Sequence, residues 1–179
     1  MPKEFKPQRL DVRAFAEEAA ELSGSSTVGQ HPRLVAETQG RDPDQPVTWR
    51  ARGELRNARH HEPEVWLHLQ AETVLALACQ RCLEPVATPL SVDRSFRFVA
   101  DEAAAEAQDD DSEEDLLALS AQFDLIALLE DELLMAVPLV PRHEVCPEPL
   151  PEVAAPAADP QQDGKPNPFA ILGKLKQRG

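Results

Sequence analysis

The stretch Val65-Trp-Leu-His-Leu-Gln-Ala-Glu-Thr-Val-Leu-Ala-Leu-Ala-Cys79-Gln-Arg-Cys82-Leu-Glu-Pro-Val86 decides the fold. Val65, Leu67, Leu69 and Ala71 alternate with Trp66, His68, Gln70 and Glu72. That period of two puts one face of a strand inward and the other outward. From Thr73 to Ala78 the residues are apolar on both faces, which predicts a strand end buried on both sides. Two cysteines follow at once. The next alternation, Leu90-Ser-Val92-Asp-Arg94-Ser-Phe96-Arg-Phe98, begins soon after, so Cys79-Gln-Arg-Cys82 lies in the connection between two strands.

Upstream, Val47-Thr-Trp49-Arg-Ala51-Arg-Gly53-Glu-Leu55 has the same period, with small or apolar residues on the odd positions. Consecutive strands with short connections predict an antiparallel β-sheet or a small barrel. Residues 11–22 predict an N-terminal helix, because Val12, Phe15, Ala16, Ala19 and Leu22 share one face, with Asp11 as N-cap and Ser23-Gly24 as stop. Ser25–Gln30 reads as a polar loop and Leu34–Glu37 as a short, weak strand. Leu116–Phe123 fits either a short strand or a first helical turn.

Asp124–Val137 predicts a second helix, capped by Asp124 and ended by Pro138. Its apolar face (Leu125, Leu128, Leu129, Leu133, Met135, Ala136) should pack on the sheet. Glu130, Asp131 and Glu132 read as a solvated face, since neighbouring helical positions fan outward. The expectation is one α+β domain over residues 8–146: a sheet with an N-terminal helix and a packed C-terminal helix, then a flexible tail.

Length and charge agree with that division. The chain has 179 residues, 42% of them apolar, and 17 prolines. That suits one domain with tails. Net charge is −14, but residues 101–164 hold 18 Asp+Glu against 1 Lys+Arg, and residues 165–179 hold 4 Lys+Arg against none. Residues 101–115 carry nine acids and read as a solvated loop, or as an acidic arm for a basic partner. Residues 147–166, with six prolines, read as a stiff polar linker. Residues 167–179 predict a short basic amphipathic segment, opened by Asn167 and Pro168, that docks through Phe169 and Leu172 on this chain's own body or on a partner.

No run is long and apolar enough to span a membrane, and the first residues lack the apolar core of a secretory signal. Three cysteines with one close pair argue against a disulfide framework, so a cytoplasmic location is expected. No nucleotide-binding glycine loop, nucleophile motif or paired-carboxylate constellation is present. No catalytic residue is expected.

Two constellations remain. Cys79 and Cys82, with His143 and Cys146 sixty residues on, have the ligand types and short spacings of a structural zinc site. The alternatives are reduced thiols at a strand end, or a redox pair, which the absence of a following helix disfavours. Arg50, Arg52, Arg56 and Arg59, with His60, His61 and the nearby Trp49 and Trp66, form a basic cluster. Together with Lys174, Lys176 and Arg178 of the tail, it could contact RNA or a partner. The alternative is an exposed strand face, with both tryptophans in the packing.

Cys79-Gln-Arg-Cys82, then Glu130-Asp-Glu-Leu-Leu-Met-Ala-Val-Pro-Leu-Val-Pro-Arg-His143 and Cys146, then Lys165-Pro-Asn-Pro-Phe-Ala-Ile-Leu172, resemble the YceD family of large ribosomal RNA subunit accumulation proteins. The resemblance implies a part in the synthesis, processing or stability of large-subunit rRNA and no established catalytic residue. Its expected partners are that rRNA or its precursor and ribosomal or rRNA-processing proteins. Two modes follow as expectations: direct rRNA contact through the arginines and tail, or an adaptor holding a basic ribosomal protein or processing enzyme.

Overall fold

In the computed structural model, residues 4–57, 63–109 and 112–147 are described. Three long strands form the centre: β2 (Pro46–Arg56), β3 (Glu64–Ala78) and β4 (Pro85–Val99). All are antiparallel neighbours, with Ala51 opposite Leu69 and Leu69 opposite Arg94. The odd positions of β2 from Val47 to Gly53 are buried and the even ones exposed, as the alternation predicts. On β3 both faces are covered at the far end, where Leu75, Ala76 and Leu77 are all buried.

The sheet has five strands in the order β1-β2-β3-β4-β5. It is an open sheet with β1 (Glu21–Thr27) and β5 (Asp115–Ala118) at its edges. β5 lies parallel to β4, which makes the sheet mixed.

Among the described residues four α-helices accompany it: α1 (Val12–Glu17), α2 (Pro32–Thr38), α3 (Glu102–Asp109) and α4 (Leu125–Met135). Phe15 of α1, Leu34 of α2 and Leu125, Leu129 and Leu133 of α4 join Leu67, Leu69 and Phe96 of the sheet in one core. Each fully buried leucine there contributes roughly 1.5–3 kcal/mol over an exposed one. Asp124 caps α4 by accepting the N–H groups of Ile126 and Ala127, at 2.9 and 3.0 Å.

Six expectations are corrected. The first helix stops at Glu17, because Ala19 turns left-handed (φ 45°) and the Ala20 N–H returns to the Phe15 carbonyl. Val28–Gln30 of the expected polar loop form a 3-10 turn, while Leu22 and residues 25–27 become part of β1, seven residues drawn out by pairing with β2. Its serines gain order from that ladder rather than from intrinsic strand preference.

The expected strand at Leu34–Glu37 is helix α2, with Pro32 in its first turn and Gln39 and Gly40 left-handed at its end. The acidic loop 101–115 holds α3 and the first residue of β5 within its described part. Met135, expected on the packed face of α4, is 81% exposed.

The sixth correction concerns the acids of α4. Glu130 is buried. Its Oε1 accepts the backbone N–H of Arg33 at 2.8 Å, and its Oε2 accepts from the Arg33 guanidinium at 3.2 Å. It closes the exposed start of α2 from another element, satisfying donors that a helix leaves unpaired.

Candidate metal centre

β3 and β4 form a long hairpin, and the putting-together of the centre begins at its tip. Ala78 pairs with Pro85. The Cys79 N–H reaches the Glu84 carbonyl and the Leu83 N–H the Cys79 carbonyl, each at 2.9 Å. Leu83 takes a left-handed φ of 67°, the reversal that this tight turn requires. Cys79 and Cys82 are thereby held in one short knuckle.

Beyond α4 the chain returns to this knuckle. The Gln80 N–H donates to the Pro141 carbonyl at 2.8 Å, and the Arg81 guanidinium donates to the carbonyls of His143 and Glu144 at 3.3 Å each. These bonds fix the register of the returning segment.

One ligand atom each from Cys79, Cys82, His143 and Cys146 lies within 4.8 Å of the others. No cysteine of the chain is in a disulfide. His143 Nε2 stands 3.1 Å from the Pro85 carbonyl. A carbonyl only accepts, so Nε2 carries the proton and Nδ1 offers its lone pair to the cluster. Such an outer hydrogen bond sets the tautomer of a metal-binding histidine. Nδ1 is 3.5 Å from Cys82 Sγ. Sulfur and nitrogen sharing one tetrahedral zinc ion are about 3.6 Å apart, given bond lengths of about 2.3 and 2.05 Å.

The electrostatics favour a thiolate. Burial pushes the Cys79 thiol up, but the backbone N–H groups of Cys82, His143 and Arg81, with the Cys82 side chain, outweigh it and bring it down to about 5. Thiolate is the form that binds metal. Three sulfurs and one imidazole are the donor set of a closed structural zinc site, with no position left for substrate.

Among the other expected contact residues, the described arginines stand beside acids on the sheet. Arg50 pairs with Glu21 at 2.6 Å, and Arg56 pairs with Glu54 at 3.2 Å while lying 3.9 Å over the Trp66 ring. Arg52 is exposed beside them. Trp49 and Trp66 are both buried, so neither offers a stacking surface. Arg59, Phe169, Leu172, Lys174, Lys176 and Arg178 lie outside the described residues.

The same sheet face holds an array that the sequence reading missed. His68 Nδ1 is 2.7 Å from Ser95 Oγ, and its Nε2 is 2.6 Å from Glu54 Oε2. Only the strand register brings these three together, so no local motif signals them.

The family model described as "Large ribosomal RNA subunit accumulation protein YceD" matches residues 67–176. A protein of Haemophilus influenzae described in the same words is 36% identical over 104 residues. The match covers 57% of this chain and 60% of that protein. No solved structure matches. The matched span runs from near the start of β3 through the knuckle, α4 and the returning histidine and cysteine, and on this ground the chain belongs to the YceD family.

Proposed function

We propose that this chain is a non-enzymatic cytoplasmic factor for the accumulation of large-subunit ribosomal RNA, acting mainly through protein contacts. A structural zinc ion, held by Cys79, Cys82, His143 and Cys146, ties the hairpin to the segment that follows α4. Family membership and the relative's name support the rRNA role.

The observation that carries the protein-contact reading is the pairing on the sheet face. A phosphate-binding surface presents uncompensated cations. Here two of the three described arginines of the expected cluster are neutralised by Glu21 and Glu54. The acid-rich residues 101–115 repel phosphate as well and suit a basic ribosomal or rRNA-processing protein.

The test is done in cells that lack this chain. Large-subunit rRNA should fall relative to small-subunit rRNA and recover with the wild-type chain. Ultraviolet cross-linking of that chain should yield no rRNA signal above an Arg50→Ala/Arg52→Ala/Arg56→Ala variant. An unchanged rRNA ratio would remove the proposed role. A strong cross-link lost in the variant would replace the protein-contact reading with direct RNA binding.

A further inference from the structure

A groove of about 590 Å³ runs between α4 and the β4–β5 edge of the sheet, and no residue of the knuckle is in its lining. Leu117, Leu134 and Met135 give it an apolar lining, and Asp109, Asp115 and Glu132 give it a negative one. Met135 is 81% exposed there, a large apolar side chain left on the surface at the end of an otherwise packed helix.

Charge in the groove is out of balance. Among the described residues Arg94 is the only cation in its lining, and Asp115 already pairs with it. Glu132 stands 3.8 Å from Arg94, with its side chain 15% exposed. Burial pushes the Glu132 carboxyl up, Arg94 opposes this, and Asp115 and Asp131 add to it. A second cation delivered from outside would relieve the repulsion, and an apolar surface arriving with it would cover Met135. An uncharged apolar ligand would bury the carboxylates without compensation. RNA would meet like charge.

We propose that this groove seats a basic amphipathic segment of another protein, with leucine-like side chains over Leu117, Leu134 and Met135 and lysine or arginine toward Asp109, Asp115 and Glu132. The proposal rests on the protein-contact reading above and gives it a surface and a partner chemistry. Apolar anchors supply the affinity, and the acids supply selection and orientation.

The test uses the full-length chain and a fluorescein-labelled peptide of about eighteen leucines and lysines, five helical turns with the leucines on one face. Three comparators are a Glu-for-Lys peptide, a Lys/Ser peptide without apolar residues, and a single-stranded RNA of similar length. Anisotropy should show binding of the Leu/Lys peptide alone, weakened about fivefold or more by Met135→Lys and by Glu132→Gln. Circular dichroism verifies that both variants are folded.

Equal binding of the Lys/Ser peptide, or unchanged affinity in both variants, overturns the proposal. RNA binding that both variants weaken overturns it in favour of nucleic acid. A Met135→Lys chain that loses the peptide yet restores large-subunit rRNA in cells also sinks the groove, while leaving the protein-contact reading intact. That reading falls by its own separate result, the rRNA cross-link.

Discussion

Glu130 and Arg33 are joined twice, through a backbone N–H at 2.8 Å and a guanidinium at 3.2 Å, although they stand on different helices. The pair fastens α4 to the start of α2, and both helices press on the same sheet core. Glu130→Ala leaves the Arg33 and Leu34 N–H groups without this acceptor. A loss of about 2–4 kcal/mol in urea unfolding is expected, within the range for a severed buried ionic hydrogen bond. Glu130→Gln keeps one acceptor and should fall between. A loss below about 0.5 kcal/mol in the alanine variant, the level of an ordinary surface change, would contradict this role.

His31 sits just before α2, buried, with Nε2 2.7 Å from Ser26 Oγ. Burial lowers its pKa from 6.5, and Glu130 opposes this in part. The unfolded chain therefore takes up a proton at a higher pH than the folded one. This contribution to stability is present above about pH 6.5 and is lost progressively as pH falls below it, down to the folded value. The drop in urea midpoint from pH 7.5 to pH 5 should be smaller in His31→Gln than in wild type. Equal drops would remove His31 from the account.

Glu132 has the opposite sign. Its carboxyl is raised by burial, so its favourable contribution exists at low pH and is lost as pH rises through the folded value. Glu132→Gln should be at least as stable as wild type at pH 7, with the advantage shrinking toward pH 4. Thermal melts at both values verify it; a destabilised variant at pH 7 would show that the Arg94 attraction outweighs burial.

Gly53 lets the end of α1 rest on β2. A Cβ there would stand 2.6 Å from the Phe15 carbonyl oxygen and 2.8 Å from Ala16 Cα, both backbone. Gly53→Ala should cost about 1–3 kcal/mol, the range for overpacking. A melting temperature within about a degree of wild type would mean that α1 moves freely at this point.

How much of this was legible depended on the range of the forces involved. β2, β3 and β4 were readable because each strand's own alternation reports which face is buried. The knuckle was readable because Cys79 and Cys82 declare themselves locally, and His143 and Cys146 have matching spacing. β1 was not, since Leu22 continues the helical period of Val12 and Phe15 and the serines follow only because β2 offers them a ladder. Helix α2 hid for the same reason: seven residues are too few to hold alone, and the acceptor that closes its start is Glu130, far along the chain. Glu130 itself looked solvated among Asp131 and Glu132, and nothing local separates the three.

In the proposed function a metal ion holds the hairpin tip to the segment after α4. Zinc measured in freshly purified, reduced protein, beside Cys79→Ser, tests it most directly. About one equivalent per chain is expected in wild type, resistant to dialysis, with loss of both zinc and cooperative melting of the hairpin in the variant. Less than about a tenth of an equivalent in wild type, with the same melting curve after a strong chelator, would contradict it.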